Sequence, residues 1–321
     1  MVKLFNLENH IIDTSLFSHC LHDKGVEDFE LEFAEYVGAA YACSINSATN
    51  AIFLSLLNKN SIIKVPSIIP PVVLNAIITS GNKIEFTDNI EWVGGSYVLH
   101  ELEDYKVIDS AQKVEKDQFA KEAEDKDLMI FSFYPTKPVG SYDGGIIVSN
   151  DKDKIDWFRA AVMNGCKNER NSWDRTVLFP GWKMYMSSIQ AFVASKSLQN
   201  LEKKNIQLNN IRNFYNKELG LNNKSLHLYR VNVKDNKKVK KELYDKGIQC
   251  GIHYEAAHRN LVYASSSVYT SQRLKDSRLV LLGDPLIKST RESHSTLSIP
   301  FNEKLKQEDL DYILKSIKSY L

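Results

Sequence analysis

The chain has 321 residues, is 43% hydrophobic and 25% charged, and sets Lys+Arg 41 against Asp+Glu 40. That composition is globular and long enough for two domains. It lacks the basic excess that draws a protein to nucleic acid or to an anionic membrane. No run of about 20 apolar residues is present, and Met1–His10 has no signal-peptide apolar core, so a cytoplasmic protein is expected. Cys20, Cys43, Cys166 and Cys250 are scattered without metal or CxxC spacing; reduced thiols and no metal site are the reading.

Val26 to Tyr36 carries Phe29, Phe33 and Val37 at spacings of four and predicts a helix ended by Gly38. A strand is expected at Tyr41–Ile45, then the turn Asn46-Ser47-Ala48-Thr49-Asn50, then a helix from Ala51 to Leu57. A helix start of small hydroxylated residues after a strand suits a phosphate, because free N–H groups and the helix dipole both favour an anion. Taken alone, the turn reads better as ordinary N-capping by Ser47 or Thr49. Strands follow at Ile62–Val65, Lys83–Phe86, Gly95–Leu99 and Tyr105–Ile108, with a helix at about Val72–Ser80. Between Leu99 and Tyr105 there is no room for a helix. Asp109 stands at the end of the last of these strands, the edge where open α/β sheets bind ligands. A carboxylate beside a pyridine nitrogen keeps that nitrogen protonated; by itself, Asp109 reads as a helix N-cap.

Leu128 to Tyr134 is β-prone and is stopped by Pro135, which donates nothing to a ladder. The turn Asp143-Gly144-Gly145 opens a second strand, Ile146–Ser149. Lys137 is therefore held on a short loop between two core strands. Most loop lysines are solvated charges. Desolvation at such a place lowers the pKa and makes the amine a nucleophile toward carbonyls, as pyridoxal phosphate (PLP) enzymes require. Further on, a helix is expected at Asp151–Val162, a long helix or two in succession over Met186–Ile211, β-like pieces at Leu226–Val233, and helices at Val239–Lys246 and from Gln307 or Glu308 to Tyr320. The lysines of 234–241 have no aromatic partners and read as a solvated helix face. Strands alternate with helices up to about residue 200, which predicts an α/β layer with a mostly parallel sheet. A smaller α+β domain is expected after it, with boundaries 1–205 and 206–321.

A phosphate turn, a strand-end aspartate and an inter-strand lysine form, in that order, the parts of a fold-type-I PLP-dependent transferase. The chain resembles the DegT/DnrJ/EryC1/StrS family of PLP-dependent nucleotide-sugar aminotransferases. The resemblance rests on Ser132-Phe133-Tyr134-Pro135-Thr136-Lys137 with Asp143-Gly144-Gly145, on Val107-Ile108-Asp109-Ser110-Ala111-Gln112, and on Asn46-Ser47-Ala48-Thr49-Asn50-Ala51-Ile52. Gly181 to Ala191 and Gly251-Ile252-His253-Tyr254 complete five matches in family order.

The resemblance implies that Lys137 carries PLP as a Schiff base and moves the proton. It implies that Asp109 pairs with the pyridine nitrogen and that Gln112 lies over the ring face or near its phenolic oxygen. Ser132, Ser47, Ala48 and Thr49 hold the phosphate, and Lys183 and Tyr185 reach the phosphate of a neighbouring subunit in a homodimer with interfacial active sites. His253 and Tyr254 are placed on the substrate side. The implied reaction moves an amino group from glutamate, leaving 2-oxoglutarate, to a nucleotide-linked keto-sugar. Lysine, rather than the histidine of a dehydrating branch, favours transamination. Alternatives are a non-catalytic PLP-fold regulator or partner protein, and a family enzyme of different reaction such as sugar dehydration or cyclitol amination. The departures are Ala48 for glycine, Pro70 for a ring-stacking aromatic, Lys183 for asparagine, Tyr185 for arginine, and a shortened connection before Tyr105 where the family has a helix.

Overall fold

A computed structural model describes residues 1–7, 11–19, 21, 24–167, 175–267 and 286–321. Cys20 and residues 8–10 of the N-terminal segment lie outside the described residues. Among the described residues, Cys43, Cys166 and Cys250 are buried thiols. Contacts divide the chain into two compact units, neither contiguous in sequence: residues 7–56 with 96–201, and residues 1–6 with 57–95 and 202–321.

The first unit is built on a five-stranded sheet in the order β1 (Tyr41–Ile45), β7 (Gly145–Ser149), β6 (Leu128–Ser132), β5 (Lys106–Asp109), β4 (Tyr97–Glu101). β5 and β6 run parallel, and the other neighbours pair antiparallel. β1, β5 and β6 therefore share one direction, and β4 and β7 oppose it. The inversion of β4 has a simple cause. A parallel crossover needs a dozen or more residues, but only the four residues 102–105 join β4 to β5. They close as a tight turn in which Leu102 N–H donates to the Tyr105 carbonyl at 2.9 Å. No helix stands in that connection.

Every residue of β6 and β7 is buried, the pattern of strands covered on both faces. On one face Ala42, Met129, Phe131, Ile146 and Val148 join α1 (Gly25–Val37) and α6 (Ser188–Gln199) in a core around Phe29, Phe33 and Phe133. Phe29 and Phe33 each meet Phe133 edge to face, and Phe33 meets Phe131 likewise, at 5.0–5.3 Å between centroids. Helices α2 (Ala48–Leu56) and α5 (Lys152–Val162) contact β1 and β7. Glu30 on α1 accepts from Ser44 N–H and Oγ–H and from the Arg159 guanidinium at 3.0 Å, tying α1, β1 and α5 together.

The sequence expectations meet β1 residue for residue and α1 within a residue. α2 begins three residues before the expected Ala51, because Ala48 and Thr49 already take helical backbone. β6 ends at Ser132, not Tyr134, and β4 lies two residues later than expected. α4 (Gln118–Glu122) was not anticipated: it follows Asp117 in the left-handed region, and it buries Phe119. The expected long segment after Met186 is two helices, α6 and α7 (Leu201–Leu219), separated at Asn200.

In the second unit β2 (Ile62–Pro66), α3 (Pro71–Thr79) and β3 (Lys83–Thr87) form a parallel βαβ unit. The antiparallel pair β8 (Tyr229–Asn232) and β9 (Thr296–Ile299) shares a core with α7, α8 (Asn236–Asp245) and α11 (Gln307–Ile317). The unit also holds the short α9 (Leu261–Ser265) and α10 (Ile287–Ser295). Val239 and Leu243 of α8 are buried while Lys234, Lys237, Lys238, Lys240 and Lys241 are exposed, the solvated face read from the sequence. Among the described residues no helix is long and apolar enough to cross a membrane.

Candidate active site

Nine of the residues singled out in the sequence fall in the first unit: Lys137, Asp109, Gln112, Ser132, Ser47, Ala48, Thr49, Lys183 and Tyr185. Lys137 sits where β6 has ended and β7 has not begun. Its N–H donates to the Tyr134 carbonyl at 2.9 Å, Ser141 N–H donates to the Phe133 carbonyl, and Phe133 N–H donates to the Gly144 carbonyl. The loop is also tied to α6, since Gly140 N–H donates to Ser197 Oγ and Ser141 Oγ donates to the Gln190 carbonyl. Asp143 and Gly144 both take positive φ, 83° and 132°, and so turn the chain sharply into β7. A loop so fixed holds its lysine at one place. Burial withdraws water from the Lys137 ammonium and lowers its pKa to about 8, against a smaller opposing effect of the nearby Asp109 charge.

Asp109 ends β5 and is 3% exposed. Its Oδ1 accepts Ala111 N–H and its Oδ2 accepts the Tyr97 hydroxyl, both at 2.9 Å. Burial raises its pKa, while the two donors and the Lys137 charge pull the other way. Gln112 is buried in the turn that follows. Ser110 N–H bonds the Ile130 carbonyl of β6, which holds the Asp109 turn against the strand that leads to Ser132 and Lys137.

The Asn46–Asn50 turn opens α2. Ser47 Oγ accepts Asn50 N–H at 3.2 Å, and the Asn50 amide donates to Asn46 Oδ1. The capping expected of Ser47 is thus present, and it leaves the first-turn N–H groups of Ala48 and Thr49 without a helical carbonyl to bond. Gly145 faces this turn so closely that a Cβ there would lie 2.5 Å from Ala48 N and 2.8 Å from Ala48 Cα. Gly145 pairs with Ile45 on one side and Ser132 on the other. Turn, serine and glycine therefore meet at one end of the sheet, and only a residue without a side chain keeps the helix start open. Gly145→Ala is expected to cost about 1–3 kcal/mol of stability by overpacking; thermal melts of the two proteins check it.

Lys183 is exposed and pairs with Met163 in an isolated bridge. Asn46 N–H donates to the Met184 carbonyl at 2.7 Å, so this segment backs the Asn46–Asn50 turn of its own chain. The remaining expected residues, His253 and Tyr254, belong to the second unit. There His253 Nδ1 lies 2.9 Å from Ser298 Oγ, and Tyr254 stacks on Trp92. Tyr254 also lines a cavity of about 490 Å³ with Ile69, Arg259, Tyr263 and His294. Pro70 is the N-cap of α3 in the same unit.

An amine with a depressed pKa, a buried carboxylate with both oxygens held, and a helix start kept open by a glycine are the parts a PLP site needs for the aldehyde, the ring nitrogen and the phosphate. The residues present fit that group. The model of the DegT/DnrJ/EryC1/StrS aminotransferase family matches residues 9–89 and 109–318. The chain belongs to this family. Among its relatives is the UDP-4-amino-4,6-dideoxy-N-acetyl-beta-L-altrosamine transaminase of Campylobacter jejuni, 24% identical over 93% of this chain and 90% of that one. The aminotransferase TlmJ of Streptoalloteichus hindustanus superposes with a TM-score of 0.79 over 99% of this chain and 98% of its own, at 17% identity. The PLP form of the putative sugar aminotransferase Spr1654 from Streptococcus pneumoniae superposes at 0.75 over 98% of this chain and 97% of its own, at 16% identity.

Two residues escaped the sequence reading. Gly145 was seen as part of a turn and not as the space in front of Ala48. Tyr97 was not singled out, although a four-residue connection makes a hairpin, and a hairpin sets the start of β4 against the end of β5.

Proposed function

We propose that this family member is a PLP-dependent aminotransferase that transfers an amino group from glutamate to the keto-sugar of a nucleoside-diphosphate sugar. The observation that carries the reading is one loop lysine whose pKa is lowered to about 8 beside a buried aspartate, in the same unit as the open helix start. PLP, when bound, supplies an electron sink for the carbon that gains or loses the amine.

The chain's own residues supply the rest. The Ala48 and Thr49 N–H groups, with Ser47 and Ser132, bind the phosphate. Asp109 would keep the ring nitrogen protonated, and Gln112 would limit the movement of the ring. Lys137 would hold PLP through its Nζ, and as a neutral amine it would accept and return the proton at the reacting carbon. Lys183 and Tyr185 serve the phosphate of a second copy across a homodimer, and His253 and Tyr254 meet the substrate. In this reading residues 1–205 form the cofactor domain and 206–321 the smaller one, although contacts group 57–95 with the C-terminal residues. The enzyme works in the cytoplasm, where nucleotide-linked sugars are made.

The test is a two-stage reaction on purified protein loaded with PLP. Glutamate alone should convert the cofactor to its amine form with one equivalent of 2-oxoglutarate, and a nucleotide-linked keto-sugar from a panel should return it. No half-reaction with glutamate or any other amino acid would leave the non-catalytic alternative standing instead.

A further inference from the structure

The family match stops at residue 89 and resumes at 109, so the hairpin strand β4 lies in a stretch the family pattern does not cover. Its first residue, Tyr97, is registered directly opposite Asp109, the last residue of β5. Directly opposed residues on an antiparallel pair present their side chains to the same face at about 5 Å. The Tyr97 hydroxyl reaches Asp109 Oδ2 at 2.9 Å, while Ala111 N–H occupies Oδ1. Each carboxylate oxygen has one protein donor and keeps a lone pair for another. With Asp109 3% exposed, water has little access to replace either donor.

Resting on the PLP reading above, we infer that Tyr97 is a positioning residue of this site: its hydroxyl fixes the Asp109 carboxylate in the orientation that meets the cofactor. The shortened connection is what places it there. With a full crossover β4 would run parallel to β5, and its other end would stand beside Asp109. The four-residue turn reverses the strand and delivers Tyr97 in its place.

The test uses the full chain as wild type, Tyr97→Phe, Asp109→Asn and the double variant. PLP affinity is measured by equilibrium titration, and the glutamate half-reaction by stopped flow. Phenylalanine keeps the ring and removes only the donor. Tyr97→Phe is expected to weaken PLP binding about tenfold, the loss typical of a hydrogen bond to a charged group, and to slow the half-reaction at saturating glutamate with little change in the glutamate concentration needed. In the Asp109→Asn background the same change should add less than about twofold, since partners in one bond couple. Equal losses in both backgrounds would mean that Tyr97 acts by packing, and overturn the inference. Unchanged affinity and rate in Tyr97→Phe would overturn it too, with the aminotransferase reading intact. A wild type that takes up no PLP would remove both.

Discussion

Lys137→Ala should leave a protein that still folds but carries no covalently attached cofactor, with transamination lowered by about 10³-fold or more, the scale of losing a positioned general acid–base group. Borohydride reduction followed by peptide mass spectrometry should find the cofactor on the 137 peptide of the wild type and on no peptide of the variant. Labelling elsewhere in the wild type would move the assignment to another lysine. The depressed pKa adds a second signature. A pKa of about 8 leaves about one-tenth of Lys137 neutral at pH 7, against less than about one in a thousand for an ordinary lysine. Cofactor loading of the apo protein should therefore speed up about tenfold between pH 7 and 9 and then level off. A rate still climbing at pH 10 would show an ordinary lysine. The sign for stability follows from the same shift. Between about pH 8 and 10.4 the unfolded chain holds the proton that the folded chain has released, so apo stability rises with pH there. Lys137→Ala should remove that rise.

Asp109→Asn has the second largest expected effect. The amide keeps the shape of the carboxylate but cannot offset a charge on the ring nitrogen, and the glutamate half-reaction should slow by about 10²–10³-fold, as when one preorganised electrostatic partner is lost. Binding of PLP should weaken yet persist, because the phosphate turn and Lys137 are untouched. Stability should move the other way. Burial raises the Asp109 pKa, so above the unfolded carboxylate's value of about 3.9 the folded state holds more protons than the unfolded one, and stability falls as pH rises through that window. The apo variant should therefore melt above the apo wild type at pH 7, with the gap closing toward pH 4. A variant that melts lower at pH 7 would show that the charge is compensated within the apo fold.

Much of this site is legible in the chain because its parts are local. Pro135 and Asp143-Gly144-Gly145 punctuate two five-residue strands wherever they sit in space, and they frame Lys137. The end of β5 at Asp109 and the capped start of α2 follow from the same short-range chemistry. The misses are those that depend on distant residues. α4 begins from an unusual Asp117 backbone and is held by the burial of Phe119, so its periodicity is too short to read. The grouping of residues 57–95 with the C-terminal unit depends on contacts far apart in the chain.

By itself, then, the sequence determined the strands and turns that frame the site, the lysine, aspartate and small-residue turn, and the absence of room for a helix before Tyr105. Those are matters of spacing and of what each residue type permits in its own backbone. Only the tertiary structure decided that Gly145 presses within contact of the Ala48 turn and that the Tyr97 hydroxyl donates to the Asp109 carboxylate. Close approach and hydrogen-bond partner are properties of pairs, and neither member of a pair carries a record of the other in its own local sequence.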